Sequence, residues 1–536
     1  MKPVIPLLSG ILMLASTAFA LDGRVGIHDP STVTECDGKY YVWGTGGNPL
    51  VSDDGWTWRQ GVAAARSGAA PDVIHIGDRY FMYISGVTMI SSKSLNPESP
   101  DYKWDDGGTI AGYEGQGDFM NPIDPAALLD PTDGKLWLTY GSYVGYIRLV
   151  QLDPKTGKRV DTKFYNLAIN CEASCMIYHD GWYYLLATHN SCCVGANSGY
   201  NIRMGRSRKV TGPFLDNDGV DMIQGGGKQF LGSEERHIGA GHFGLVDLGG
   251  GVQKFSMHWE ADLDRGGASV LDIRPLLWKD GWPAPGENMK DGTYQIQSLR
   301  TGNSLELAVE NAAVGGGGRG GRGGGGARGG RGGAPGAGGD GATNNVGGRG
   351  GFGGFGAAGD TNAAQFALGG TNAPGGRGAR GGGGGGRGGF GGFGGSGGGP
   401  IPAQDVAVVS ANWPKDNIDL RLANFMSQAQ QKWTISAVTN AGGYPGSPYF
   451  KVTVAGTDRA LAATEGGELV TVPAFTGGPE QLWRFDQLAD GNWRVMPKSV
   501  PNSKDALALS AVGNGFASLT KFNADGERQH WIIRVP

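Results

Sequence analysis

Three carboxylates, Asp29, Asp124 and Glu172, each stand at the head of the same local pattern in the first half of a 536-residue chain. In all three a polar residue opens a short apolar run, a glycine-containing turn follows, and an aromatic-rich run closes the unit. The copies read HDPSTV before DGKYYVWGTG, IDPAALL before DGKLWLTYGS, and CEASCMIY before DGWYYLLATH. Two further copies start at Asp72, before GDRYFMYIS, and at His242, before GGVQKFSMHWE. Hydrolysis of a glycosidic bond needs a carboxylate to take a proton from water and a carboxylic acid to give one to the departing oxygen. A set drawn from separate copies of a repeat requires a fold that gathers equal positions together.

Apolar run, tight turn and aromatic run together read as strand, hairpin, strand. Strand units that recur at roughly 40–70 residues are the signature of a propeller, whose blades surround a central channel. The expected fold class is therefore all-β, beginning with a five-bladed β-propeller over 21–288. On that fold Asp29, Asp124 and Glu172 converge on the axis. An aspartate before proline often only starts a turn; the phase shared with Glu172 moves the reading from turn to chemistry. Asp72 holds the same phase in the second blade and reads either as a hydrogen-bonding group near substrate or as a turn cap. Trp43, Trp56, Trp58, Trp104 and Trp259 could stack on sugar rings, but packing between blades is the stronger reading.

Residues 1–20 carry Lys2, an apolar run and Ala18-Phe19-Ala20, the three-part pattern of an export signal. No other stretch is long and apolar enough to span a bilayer. A net charge of −4 and a pI near 6.1 give no general attraction to nucleic acid. Five cysteines, Cys36, Cys171, Cys175, Cys192 and Cys193, leave at least one without an intrachain partner, and their spacing does not choose a pairing. From about 314 to 400 the chain is almost wholly Gly, Arg, Ala and Phe, which cannot bury enough apolar area to offset its ordering entropy. Disorder is expected there.

Beyond it come three triplets, Gln431-Lys432-Trp433, Gln481-Leu482-Trp483 and Gln529-His530-Trp531, each running into a strand. They resemble the repeat of ricin-type β-trefoils, with Trp as core anchor and Gln as a buried hydrogen-bonding group. The expected trefoil occupies 289–536, with the Gly/Arg-rich tract inserted in its first lobe. Sugar-binding lobes of that family carry an acid that this chain shows in no clear form, Glu306 being the nearest candidate. Carbohydrate binding and a docking role are both open for this domain.

In order along 25–285, the segments HDPSTV, APDV, IDPAALLDPTDGKLWLTYGSY, CEASCMIYHDGWYYLLATHNSCCVGANSGYNIRMGRSRKVTGPF, GAGHFG and RPLLWKDGWP resemble glycoside hydrolase family 43, most closely its endo-α-1,5-L-arabinanases. The resemblance implies inverting hydrolysis of arabinan, with Asp29 as general base, Glu172 as general acid and Asp124 as the group that orients the acid and raises its pKa. It implies a substrate contact at Asp72, while Ser142 and Tyr143, at a strand end near the expected cleft, are read as lining subsites. It also implies a calcium ion in the channel, held by His242 and water, although calcium prefers six to eight oxygen ligands. An exo-acting α-L-arabinofuranosidase or β-xylosidase on the same scaffold is the alternative within enzymes. A non-catalytic carbohydrate-binding protein is the alternative outside them, and three mutually repelling carboxylates would serve it poorly.

Overall fold

The computed structural model describes residues 21–536 except 48, 113, 115–121 and 310–405. The expected leader and the Gly/Arg-rich tract thus lie outside the described residues. The described residues form strands joined by turns, with a five-residue helix, Val406–Ser410, and several single 3₁₀ turns. None of their helices is long and apolar enough to cross a membrane.

The hairpins are written in the turn residues. Asp37-Gly38, Asp180-Gly181 and Asp280-Gly281 all carry positive φ at both positions, the backbone of a type I′ turn that matches the twist of its strands. The aromatic runs that follow are second strands with neighbours on both sides. Leu136–Tyr140 is buried at every position, and Trp182–His189 at all but its first. Such strands read as continuous apolar runs because both faces of a blade pack against other blades.

Five antiparallel sheets result. The second to fifth have four strands each, in sequence order: 72–109, 126–169, 172–231 and 237–285. The first contains Thr34–Cys36, Lys39–Trp43, Pro49–Ser52 and Thr57–Gln60, and adds Asp22–Gly23 in parallel at its outer edge. First strands of successive sheets are neighbours. The ring closes where Gly244 of the fifth sheet meets Thr32, whose Cα would lie 2.9 Å from an added Cβ. It is fastened where Leu271 N–H donates to Val25 O at 2.9 Å. This is the five-bladed propeller. Trp43, Trp56, Trp58 and Trp259 are buried in its clusters and Trp104 packs against one of them, so packing is what these rings do.

One backbone feature recurs in every blade. Asp29, Ala70, Asp124, Ala173 and His242 all have φ between +42° and +61°. Two residues later, each first strand joins its partner: Ser31 N–H donates to Trp43 O at 2.7 Å, and Asp72, Ala126, Cys175 and Gly244 pair with Tyr83, Thr139, Leu186 and Ser256. These are the equivalent positions. The phase expected from the sequence is accordingly corrected. Ala70, not Asp72, matches Asp29 and Asp124, and Glu172 lies one residue ahead of its blade's left-handed residue, Ala173. A left-handed conformation is uncommon outside glycine, with Asp and His better tolerated than alanine. Its recurrence at five inner positions marks a geometry imposed by the ring.

The C-terminal region is a single twelve-stranded sheet with a threefold internal repeat. Trp433, Trp483 and Trp531 are fully buried, and their indole N–H groups donate to Leu305, Leu461 and Leu509 carbonyls at 2.9, 3.1 and 2.9 Å. Gln431, Gln481 and Gln529 accept from the backbone N–H of Met426, Thr476 and Asn523 at 2.7, 2.8 and 3.0 Å. The first repeat is built from both sides of 310–405: Ser304–Leu307 pairs with Ile418–Ala423.

A small hairpin, Gly443–Tyr444 with Ser447–Pro448, docks this region on the propeller. Gly443 N–H donates to Asp54 Oδ2 at 2.8 Å, and Gly446 N–H to Gly55 O at 3.0 Å. Lys254 is buried beneath it, with Nζ 2.5 Å from Pro445 O and 3.1 Å from Asn288 Oδ1. Burial pulls this ammonium down to about 8, against the attraction of Asp486. In the unfolded chain it keeps its proton to about 10.4. Between these values the unfolded state binds the extra proton, so the group's contribution to stability rises with pH. Relative to a Lys254→Met variant, the wild type should gain about 1 kcal/mol per pH unit from pH 8 to 10, with no such slope below 8. Urea unfolding of both proteins across that range measures it.

Candidate active site

Asp29 is held on three sides. Its Oδ2 accepts from Thr45 Oγ1 at 2.6 Å and lies 2.8 Å from His28 Nδ1, while His242 Nδ1 is 3.5 Å from Oδ1. Its backbone N–H donates to His258 Nδ1 at 2.9 Å, so that nitrogen carries a lone pair and the imidazole proton sits on Nε2. Behind this layer is Glu260. Its Oε1 is 2.9 Å from His28 Nε2 and 3.4 Å from His258 Nε2, and its Oε2 accepts from Cys193 N–H at 3.0 Å. His28 and His258 stack with ring centroids 4.6 Å apart.

This framework was not anticipated from sequence, although its signals are present. His28 adjoins Asp29, and His258 and Glu260 alternate along one strand in HWE, which puts both on the same face. Cys193, which joins it through its backbone N–H, is disulfide-bonded to its neighbour Cys192, while Cys36, Cys171 and Cys175 are free and buried.

Electrostatically the framework keeps Asp29 ionised. Burial would raise its carboxyl, but the imidazoles of His242 and His28 overrule it and hold it well below the usual range. Burial likewise works against His28, whose contacts with Asp29 and Glu260 nonetheless push it up to about 10. His258 moves the other way, kept neutral by burial.

Glu172 sits in the opposite environment. It is buried, and that burial raises its pKa, helped by the charges of Asp29 and Glu260 and opposed by a hydrogen bond from Tyr200. Asp124 accepts from Ala173 N–H at 3.0 Å, which ties it to the residue after Glu172. Burial first, then Asp29 and Glu172, push Asp124 up to about 8. The principal cause of the high Glu172 pKa is thus desolvation, with Asp124 competing for a proton in the same pocket. One carboxylate ionised and another kept protonated is the division of labour that acid-base hydrolysis uses. The alkaline limb of kcat/KM is expected above the ordinary glutamate range, because activity persists until Glu172 loses its proton. Rates on a neutral substrate at a series of pH values would show it.

The remaining expected contacts separate. Tyr143 is 51% exposed, and the charge of Glu172 is the main influence raising its phenol, which places it beside the acid and open to solvent. Ser142 is buried and accepts from Val144 N–H at 3.3 Å, shaping the turn that presents Tyr143. Asp72 is buried too, and its two oxygens accept from Thr32 N–H at 3.0 Å and Ala127 N–H at 3.1 Å. It clamps three blades together, as its shifted phase requires. In the C-terminal sheet Glu306 is also engaged, with Oε1 2.6 Å from Arg421 Nε and Oε2 accepting from Gln431 Nε2 at 2.7 Å.

His242 is buried, its Nδ1 faces Asp29 Oδ1 at 3.5 Å, and among the described residues it makes no closer hydrogen bond. It could give one nitrogen to an ion whose other ligands are water, next to the Asp29 carboxylate, and does not belong to a cage of protein oxygens.

Residues 28–283 match the family model of glycosyl hydrolases family 43. Over 338 residues the chain is 30% identical to the extracellular exo-α-(1→5)-L-arabinofuranosidase ArbA of Cellvibrio japonicus, covering 55% of this chain and 95% of that one. It is 29% identical over 294 residues to the extracellular endo-α-(1→5)-L-arabinanase 1 of Bacillus subtilis, covering 48% and 87%. The solved exo-1,5-α-L-arabinanase from a bovine ruminal metagenomic library is 32% identical, covering 50% of this chain and 100% of that one, with a TM-score of 0.45.

Proposed function

Because the chain belongs to glycosyl hydrolases family 43 and is a glycoside hydrolase, we propose that it cleaves internal α-1,5-L-arabinofuranosidic bonds of arabinan with inversion. The observation that carries this reading is the contrast between Asp29, whose carboxyl the imidazoles of His242 and His28 hold well below the usual range, and Glu172, whose carboxyl burial raises. Asp29 takes a proton from water as that water attacks the anomeric carbon. Glu172 gives its proton to the departing oxygen, and Asp124, fixed through Ala173, orients the acid and opposes its ionisation. Tyr143 lines the approach. A calcium ion held by His242 and water would supply positive potential beside the carboxylates.

A second reading, release of sugar from chain ends, is favoured by the relative named an exo-acting arabinofuranosidase. Product profiles on linear 1,5-arabinan and an aryl α-L-arabinofuranoside separate the two. Oligosaccharides with little aryl release support internal cleavage, monosaccharide alone supports the second reading, and no turnover of either overturns both. The leader at 1–20 and the relatives named extracellular support export. The threefold Gln and Trp pattern supports a ricin-type β-trefoil at the C-terminus. Glu306, engaged by Arg421 and Gln431, helps hold the first lobe together.

A further inference from the structure

The hydroxyl of Tyr200 donates a hydrogen bond to Glu172 Oε1. Tyr200 is 2% exposed and precedes the strand Asn201–Ser207, its backbone N–H fixed to Ser198 Oγ at 3.1 Å. Its ring lies over Gly241, where an added Cβ would come within 2.7 Å of Cδ2, and it is tilted against His258 at 6.2 Å between centroids. Two residues of blade five, Gly241 and His258, therefore pack on this ring of blade four, and the hydroxyl has little freedom to leave the carboxyl.

That contact bears on which oxygen does the chemistry. A protonated carboxyl has one carbonyl oxygen, which accepts, and one O–H, which donates. A phenol directed at Oε1 requires an acceptor there. We propose that Tyr200 is a positioning residue for the general acid, holding Oε1 as the acceptor so that the proton of Glu172 resides on Oε2 and faces the departing oxygen. When the glycosidic C–O bond breaks, the Oε2–H bond breaks with it. The proton passes to the leaving oxygen, the bonding pair stays on the carboxylate, and the hydrogen bond from Tyr200 stabilises the charge that appears. Water supplies the new C–O bond and gives its proton to Asp29. The inference rests on Glu172 being the general acid.

The test uses aryl α-1,5-arabinobiosides whose phenols range from acidic (2,4-dinitrophenyl) to basic (phenyl), with wild type, Tyr200→Phe and Glu172→Gln. Proton donation matters most when the leaving group is basic, so Tyr200→Phe should lose roughly 10- to 100-fold in kcat/KM on the phenyl glycoside but about threefold or less on the dinitrophenyl one. The plot of log kcat/KM against leaving-group pKa should steepen. An equal loss across the series, or no loss, overturns the inference, because a residue that only supports packing or binding has no reason to sense the leaving group. If Tyr200→Phe does not fold, 3-fluorotyrosine at position 200 keeps the ring and donates more strongly; a shallower plot supports the inference and an unchanged one overturns it. The premise is checked separately. A uniform loss in Glu172→Gln would remove the acid assignment, and failure of the wild type to degrade linear arabinan would remove the proposed function.

Discussion

Replacing Glu172 by Gln should lower kcat/KM on linear arabinan by about 10²- to 10⁴-fold, the range typical of a lost general acid. Glutamine matches the protonated carboxyl in shape and charge and still accepts from Tyr200, but its amide has no proton to transfer. Because burial disfavours the charged form of Glu172 and none of the salt bridges among the described residues involves it, the substitution removes no ion pair, and the thermal unfolding midpoint should hold. Activity lost with stability intact is the expected signature, read from reducing-sugar release and a melting curve on one preparation. A midpoint that falls in step with activity would place Glu172 in the scaffold instead.

Asp29→Asn should cost a comparable factor, about 10²- to 10⁴-fold, by a different route. Here the lost function is proton removal from water, so an acidic leaving group does not restore the rate as it does for Glu172→Gln. Added azide, which needs no deprotonation, should restore it in part and give the glycosyl azide of inverted configuration. The fold should also soften. Asp29 anchors His28 and faces His242, and without its charge both imidazoles lose the partner that favours their protonation. Asparagine is the substitution of choice because it tolerates the φ of +49° better than alanine would. Asp29→Asn with wild-type arabinan turnover would remove Asp29 from the mechanism.

The part of this molecule that could be read from its sequence is the part encoded locally. Asp-Gly turns, aromatic second strands and Gln-x-Trp triplets each specify their own hairpin, and counting them yields the blades and the threefold repeat. Phase proved harder. Counting from Asp72 to Tyr80 matches counting from Asp29 to Tyr40 only loosely, and the conformation that defines equivalence, a left-handed residue two places before pairing resumes, leaves no residue-type signal at Ala70 or Ala173. The network behind Asp29 was beyond reach for another reason. His28 and Glu260 are 232 residues apart, and they meet only because the last blade closes on the first. Tyr200 reaches Glu172 within the fourth blade, from the position just before the strand Asn201–Ser207, where no residue pattern announces the contact.

The interrupted first repeat of the C-terminal sheet carries a practical consequence. Gly292–Ser298 pairs with Trp531–Arg534 and with Trp433–Ala437, and Ser304–Leu307 pairs with Ile418–Ala423. All three pairings join chain before 310 to chain after 405. The strands on the early side have most of their ladder partners on the late side, and the hairpin at 443–448 secures the late side to the propeller. Two polypeptides made from a divided gene, one stopping after 309 and one starting at 406, would thus contain complementary halves of a single sheet. The break offers an address for fusing a reporter or tether without cutting through a paired strand.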